Sequence, residues 1–148
     1  MDTSKQRKNT RIASYVVGYR GDTVLLAKRQ NVEHMNGMWS LVAGHIYEGE
    51  SATVGMIREF EEECGILLKK EELKPIGVLH SNSGGFDYVN FIYLVDMTGK
   101  AVENKETHKC AELRYHPVDN LPKPMEEYVK NIIKRSFKGD VWIAEAGW

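Results

Sequence analysis

The stretch that decides the fold runs from Gly44 to Ile66 and reads GHIYEGESATVGMIREFEEECGI. Its second half is predicted to form a helix over 51–64. Ser51 can cap the start of this helix, because a serine hydroxyl accepts a hydrogen bond from a backbone N–H of the first turn. Gly65 can end it, since glycine readily adopts the left-handed conformation that closes many helices. The segment therefore predicts a loop, a helix and a glycine terminator.

At 3.6 residues per turn, this helix is expected to carry apolar and acidic residues on different faces. The face predicted to pack on a sheet consists of Thr53, Ile57, Phe60 and Cys64. Glu59, Glu62 and Glu63 are expected on roughly the opposite face, because residues three and four apart are neighbours on a helix. A hard divalent cation such as Mg²⁺ would turn the repulsion among these carboxylates into ligation, and it usually completes its shell with substrate phosphates.

The acidic cluster is dense, with six glutamates and one arginine between positions 48 and 63. On composition alone, a solvated acidic helix face is the ordinary interpretation of such a run. A metal site is the alternative, and the spacing of the residues favours it.

That spacing resembles the Nudix box, in which a glycine is followed after five residues by a glutamate, and after seven more by Arg-Glu-apolar-x-Glu-Glu-x-Gly-apolar. The matching residues are Gly44, Glu50, Arg58, Glu59, Phe60, Glu62, Glu63, Gly65 and Ile66. Seven fixed identities, each at roughly 7% usage, coincide by chance on the order of once in 10⁸ registers. The resemblance implies an α/β Nudix fold, an α/β/α sandwich with a central mixed β-sheet, and hydrolysis of a nucleoside diphosphate linked to another group.

The same resemblance implies a role for each residue of the segment. Glu59, Glu62 and Glu63 would bind a divalent metal, Mg²⁺ or alternatively Mn²⁺, together with the backbone carbonyl of Gly44. One of these carboxylates would deprotonate the attacking water. Glu50 and Arg58 would form an ion pair that holds the loop against the helix. The expected catalytic group is therefore Glu59, Glu62, Arg58 and Glu50.

Residues outside the segment extend the expected site. A further acid commonly assists in this family, and Glu106 is the candidate in the long polar loop, with Glu103 and Glu112 as competitors. Upstream, LLAKRQNVEHMNGMWSLVAG resembles the segment that precedes the box in MutT-type triphosphate hydrolases. Arg29 would then contact phosphate and His34 would lie near the base, although each has a surface role as its alternative.

The substrate is inferred by elimination. Subfamily signatures of ADP-ribose, dinucleoside polyphosphate and NADH hydrolases are missing past the box, where the chain reads HSNSGG over 80–85. A nucleoside triphosphate is favoured, released as monophosphate and pyrophosphate, with an oxidised or otherwise damaged purine nucleotide as one candidate. The alternatives are ADP-ribose or sugar-nucleotide pyrophosphatase activity and, in another class, a non-catalytic nucleotide-binding regulatory module.

Outside the decisive stretch, β-branched and apolar runs predict strands at 13–19, 23–28, 39–43, 73–80, 88–95 and 112–117, with the first two forming a hairpin. A second amphipathic helix is predicted over 125–137 and a long loop over 96–109. Trp142 and Trp148 look exposed in the sequence. They could pack back onto the domain, contact a second copy or cover the substrate pocket.

The chain has 148 residues, 42% hydrophobic and 28% charged, which fits one domain over 1–148 with a flexible segment over 1–11. A formal net charge of −1 argues against a nucleic acid polymer held by a broad basic surface. Two cysteines are too few for a disulfide scaffold, and no run approaches the 18 apolar residues of a membrane span. We expect a cytoplasmic protein that binds a small nucleotide. We expect it to bind neither a nucleic acid polymer nor a membrane, and a homodimer is one possible assembly.

Overall fold

The computed structural model describes residues 6–148, which form one mixed sheet with a helix on each face. The elements are β1 (Arg11–Arg20), β2 (Thr23–Arg29), β3 (Trp39–Ser40), β4 (Val42–His45), α1 (Ala52–Cys64), β5 (Lys74–Ser83), β6 (Phe86–Asp96), β7 (Cys110–Pro117), α2 (Glu127–Phe137) and β8 (Trp142–Ala146). A short 3-10 helix, Lys70–Glu72, precedes β5. The expected α/β/α sandwich is confirmed.

Strand β1 is the central element of the sheet. The main strand order is β3-β2-β1-β6-β5-β8, with β4 paired to β1 and β7 paired to β2. β1 runs parallel to β6 and antiparallel to both β2 and β4, so the sheet is mixed. The expected hairpin is present, since Arg20 pairs with Thr23 across a turn in which Gly21 has φ 58°. This arrangement brings the end of β4 beside the beginning of β1, next to α1.

Two hydrophobic layers fill the spaces between the sheet and its helices. Successive side chains of a strand point to opposite faces, so Val16 packs toward α1 and Val17 toward α2. The α1 layer includes Leu25, Met56, Phe60 and Val95. The α2 layer includes Leu26, Ile92, Val129 and Ile133. Burial on both faces explains why β1 and β2 are continuous apolar runs rather than alternating ones.

The structure corrects two predicted elements. The strand expected over 39–43 is split, because β3 pairs with β2 while β4 pairs with β1. The second helix begins at Glu127 rather than at residue 125, because the backbone of Met125 forms a bridge with Trp39 and is buried there. The loop over 97–109 lies between β6 and β7, as expected.

Strand β8 has no counterpart among the predicted elements. It pairs in parallel with β5, and Trp142 is only 8% exposed because its ring packs directly against Gly77. Trp142 therefore packs back onto the domain, which is one of the alternatives that the sequence left open. Trp148 is 59% exposed and donates from Nε1 to the carbonyl of His80. The segment WIAEA does not alternate strictly between apolar and polar residues, so its pattern gives no strand signal and the strand conformation depends on the neighbouring edge.

At the amino terminus, residues 6–10 are exposed and precede β1. The rest of the segment expected to be flexible, residues 1–5, lies outside the described residues. Among residues 6–148, no helix combines the length and apolar character needed to cross a membrane.

Candidate active site

Helix α1 positions the acidic side chains, and its ends are those the sequence predicted. The hydroxyl of Ser51 accepts a hydrogen bond from the N–H of Val54 at 3.2 Å, and Gly65 closes the helix at φ 71°. The predicted packing face needs correction. Met56, Phe60 and Cys64 form the fully buried stripe, and Glu59 is also buried at 9% exposure instead of lying opposite the core.

Helical geometry accounts for this correction. With Met56, Phe60 and Cys64 toward the sheet, Glu59 and Glu63 fall on the flank of that stripe, and Glu62 points farther out. The side chain of Glu62 is 50% exposed, whereas that of Glu59 is 11% exposed. The three carboxylates therefore span the edge of the helix from the protein interior to solvent.

Gly44, at the end of β4, lies directly against Glu59. A β-carbon added to Gly44 would lie 2.2 Å from Cδ and 2.6 Å from Oε2 of Glu59. Only glycine leaves room for that carboxylate, because real β-carbons essentially never approach so closely. The close approach explains why a glycine is needed at the start of the box in this chain.

Arg58 links the loop before α1 to the acidic edge. Its Nε and Nη2 donate to the two carboxylate oxygens of Glu50, at 2.8 and 3.0 Å. Nη2 also donates to the carbonyl of His45 at 3.0 Å, and Nη1 donates to Oε1 of Glu59 at 2.9 Å. The expected Glu50–Arg58 ion pair is present, and these hydrogen bonds lower the pKa of Glu50 and raise that of Arg58.

Glu59 and Glu63 share an environment that favours their protonated forms. Burial raises the pKa of Glu59, Arg58 lowers it, and the charges of Glu62 and Glu106 raise it again. Burial, followed by the charges of Glu59 and Glu106, raises the pKa of Glu63 to about 8. Desolvation and like charges both disfavour a carboxylate, so an additional positive charge would stabilise this cluster.

The loop between β6 and β7 brings Glu106 to the same edge. Backbone N–H groups of Glu103 and Lys105 donate to the carbonyls of Cys64 and Glu63, at 3.0 and 3.1 Å, and so fix the loop against the end of α1. Glu106 then lies close enough to affect the pKa of both Glu59 and Glu63.

The two competing acids of this region are engaged elsewhere. Glu103 pairs with Lys105 at 3.1 Å, and Glu112 pairs with Arg114 at 3.3 Å. Both of these pairs are on the surface, where the Glu103 side chain is 71% exposed.

Arg29 lies at the end of β2, where a β-bulge between Lys28 and Arg29 shifts the register against β7. A bulge re-aims the side chain at that position. The charge of Arg29 lowers the pKa of Glu63, which places Arg29 on the side of the acidic cluster. Its Nε donates to the backbone carbonyl of His34 at 3.1 Å, while His34 itself is exposed.

Carboxylates are the ligands that Mg²⁺ and Mn²⁺ prefer, and the partly buried acids at this edge fit a divalent cation by that criterion. Within residues 6–148, however, no three acidic, histidine or cysteine side chains converge in a ready-made metal geometry. One reason is that Nη1 of Arg58 lies 2.9 Å from Oε1 of Glu59 and 3.4 Å from Oε2 of Glu62. The donor set therefore fits the cation in chemistry, and binding requires some movement of these side chains.

One contributor was not singled out from the sequence. The ring of Tyr47 lies 4.3 Å from the guanidinium carbon of Arg58, and its backbone N–H donates to Oε1 of Glu50 at 2.9 Å. Tyr47 thus covers the ion pair on one side. Its position three residues before Glu50 was the available signal, because a glutamate can accept from the backbone N–H three residues before it, as in a capping box.

Comparisons with known proteins identify relatives of this chain. The chain is 28% identical to the 8-oxo-dGDP phosphatase NUDT18 of Mus musculus over 109 residues, covering 72% of this chain and 32% of that protein. It is 25% identical to the ADP-ribose pyrophosphatase of Methanocaldococcus jannaschii over 113 residues, covering 76% of this chain and 65% of that protein. The chain thus spans about a third of the mouse relative and less than two thirds of the archaeal one.

The fold has close structural counterparts. A crystal structure of a MutT NUDIX hydrolase from Burkholderia pseudomallei superposes with a TM-score of 0.77 at 23% identity, covering 86% of this chain and 98% of that one. The family model for the NUDIX domain matches residues 9–136. This match includes the capped helix, Gly44, the Glu50–Arg58 pair and the acidic edge, and the chain therefore belongs to the Nudix hydrolase family.

Proposed function

We propose that this chain catalyses divalent-metal-dependent hydrolysis of a pyrophosphate bond in a nucleoside diphosphate derivative. The observation that carries the proposal is the close contact of Glu59 with Gly44, together with the charge of Glu106, which raises the pKa of both Glu59 and Glu63. Like charges in a partly buried place are costly, and such perturbed groups concentrate at functional sites. A cation that neutralises them and binds substrate phosphate accounts for the arrangement.

Glu59, Glu62, Glu63 and Glu106, with the carbonyl of Gly44, would hold Mg²⁺, with Mn²⁺ as the alternative. When bound, such a cation neutralises the phosphate charges and acidifies the attacking water. Glu59 or Glu62 accepts the proton as the water oxygen bonds to phosphorus. The bridging P–O bond then breaks, and its electron pair leaves with the departing phosphate.

Residues around the acids have supporting roles in this proposal. Arg58 keeps one oxygen of Glu59 engaged and ties the helix to the loop through Glu50. Arg29 contributes a positive charge beside Glu63, where an incoming phosphate would arrive. His34 would lie on the side of the site that receives the base. We also propose that the protein acts in the cytoplasm.

The favoured substrate is a nucleoside triphosphate, cleaved to monophosphate and pyrophosphate, with an oxidised purine nucleotide as a leading candidate. The name of the mouse relative supports an oxidised guanine base, although that protein is named for a diphosphate. The name of the archaeal relative supports ADP-ribose as the alternative. Both names agree on a nucleoside diphosphate group as the common element.

The test is a Mg²⁺ assay on dGTP, 8-oxo-dGTP, 8-oxo-dGDP, ADP-ribose and a sugar nucleotide, with products identified by chromatography. We expect triphosphates to yield monophosphate and pyrophosphate, and EDTA to stop the reaction. If ADP-ribose is cleaved while the triphosphates remain intact, the nucleoside triphosphate is not the substrate, and ADP-ribose takes its place in the proposal.

A matched pair of variants separates catalysis from binding alone. Glu62→Gln should abolish turnover, whereas Glu61→Gln, an exposed neighbour on the same helix, should leave it unchanged. Nucleotide binding without turnover by the unmodified chain would instead identify a regulatory module.

A further inference from the structure

The connector between β2 and β3 is joined to the turn that carries Glu106. Nε2 of Gln30 donates to the carbonyl of Thr107 at 2.7 Å, and Nδ2 of Asn31 donates to the carbonyl of His108 at 2.8 Å. The backbone N–H of Gln30 donates to the carbonyl of Lys109 at 2.9 Å. Three successive carbonyls of the turn are thus held by two residues.

The turn also has internal hydrogen bonds that fix the backbone of Glu106. Its carbonyl accepts from the N–H groups of Lys109 and Cys110, at 2.9 and 2.8 Å, and its N–H donates to Oδ1 of Asn104 at 3.2 Å. Nδ2 of Asn104 in turn donates to the carbonyl of Cys110 at 2.8 Å. The turn is therefore a compact unit, and its place beside α1 determines where the Glu106 carboxylate lies.

The backbone of Asn31 supports a specific role for its amide. Asn31 has φ 53°, in the left-handed region that asparagine tolerates better than most other residues. This conformation follows the bulge at Arg29, whose Nε is held by the carbonyl of His34 in the same connector. The connector thus contacts both Arg29, which lies near Glu63, and the turn that carries Glu106.

We propose that Gln30 and Asn31 are positioning residues that hold the Glu106 turn against the acidic edge of α1, so that Arg29 and Glu106 are placed as one unit. This inference rests on the proposed function, because it assigns a purpose to the position of Glu106 in that reaction.

Isosteric variants test the proposal. In Gln30→Glu and Asn31→Asp, a carboxylate oxygen replaces the amide donor and faces a carbonyl oxygen, so the hydrogen bond is replaced by repulsion. Asn31→Gly removes the amide but keeps the left-handed backbone accessible. Asn36→Ala is the matched control, since Asn36 lies in the same connector and contacts the N–H of Val32 instead of the turn.

Two readouts are needed for each variant. The first is kcat and KM on whichever nucleotide of the assay panel is cleaved fastest. The second is the Kd for Mg²⁺ alone, measured by calorimetry on the protein without nucleotide. We expect Asn31→Asp and Gln30→Glu to lower kcat and weaken Mg²⁺ binding by about tenfold, as loss of a supporting hydrogen bond around metal ligands typically does. Asn31→Gly should behave in the same way, and Asn36→Ala should match the unmodified chain.

A double-mutant cycle with Glu106→Gln assigns the effect to Glu106. If the amides act through that acid, the same substitutions should change kcat and the Mg²⁺ Kd by less than about twofold in the Glu106→Gln background. Full additivity, or unchanged kcat and Kd in Asn31→Gly, would overturn the proposal. If Asn31→Asp shows no melting transition, that variant is unfolded, and the test then depends on Asn31→Gly and Gln30→Glu.

The outcome is separable from that of the proposed function. If no nucleotide of the panel is cleaved by the unmodified chain, the proposed function fails. If the unmodified chain is active and Glu62→Gln is not, while the connector variants retain full activity and Mg²⁺ affinity, only the positioning role fails.

Discussion

Gly44 lies directly against the side chain of Glu59, because a β-carbon on Gly44 would lie 2.2 Å from both Cγ and Cδ of Glu59. The end of β4 and the middle of α1 are thus in direct contact. This contact places an acidic side chain beside a strand terminus.

Gly44→Ala is expected to displace the Glu59 carboxylate. Overpacking of this kind typically costs about 1–3 kcal/mol of stability, and misplacing a catalytic group by about 1 Å can cost about 10²-fold in rate. Thermal unfolding and kcat/KM on the cleaved nucleotide measure the two effects. In the Gly44→Ala/Glu59→Ala double variant, stability should recover while activity stays lost. A double variant as unstable as the single one would show that the clash lies elsewhere.

Arg58→Lys tests the planar geometry of the arginine. A lysine cannot donate simultaneously to both oxygens of Glu50, to His45 and to Glu59, so the loop and Glu59 lose their shared anchor. We expect kcat to fall by about 10- to 100-fold, the range for groups that orient metal ligands. Arg114→Lys, in the exposed pair with Glu112, is the control. Equal activity of Arg58→Lys and the unmodified chain would contradict an orienting role.

Glu63 makes stability depend on pH when no metal is present. Its pKa is raised to about 8 in the folded chain by burial and by neighbouring carboxylates. The folded state therefore binds this proton more tightly than the unfolded state. The stabilisation is complete below the usual glutamate pKa and is lost as pH rises through about 8.

In EDTA, the free energy of unfolding from urea titrations should thus fall between about pH 5 and pH 8, and Glu63→Gln should flatten that fall. Saturating Mg²⁺ should also flatten it, because a bound cation replaces the proton as the stabilising charge. An unchanged slope in Glu63→Gln would assign the pH dependence to another group.

Gly77→Ala tests the position of β8. The new β-carbon would lie 2.3 Å from the indole of Trp142, a rigid ring that cannot give way as a flexible chain end can. We expect a loss of about 1–3 kcal/mol in unfolding free energy. Gly18→Ala, at a site in β1 where the nearest atom is Cγ of Met97 at 3.0 Å, should cost less. If Gly18→Ala lowers the unfolding free energy more than Gly77→Ala does, Trp142 does not pack against Gly77 in β5.

The sequence alone identified the helix and its caps, because these depend on residues close together in the chain, whereas the ion pair between Glu50 and Arg58 was expected only from the resemblance to the Nudix box. Ser51 and Gly65 act on the backbone within one turn, and Arg58 lies about two helical turns from the loop that carries Glu50. The spacing of Glu59, Glu62 and Glu63 likewise determines that they share one edge.

The sequence could not decide how far the carboxylates of Glu59, Glu62 and Glu63 are buried, or which distant residues lie near them. The exposure of Glu59, the position of Glu106 near Glu63, and the burial of Trp142 depend on segments that are distant in the chain. Such contacts arise only when the sheet brings β4, β7 and β8 to their neighbours, because side-chain environment is a property of packing. Local patterns therefore determined the chemistry available to this protein, and the tertiary structure decided which carboxylates are desolvated and brought together.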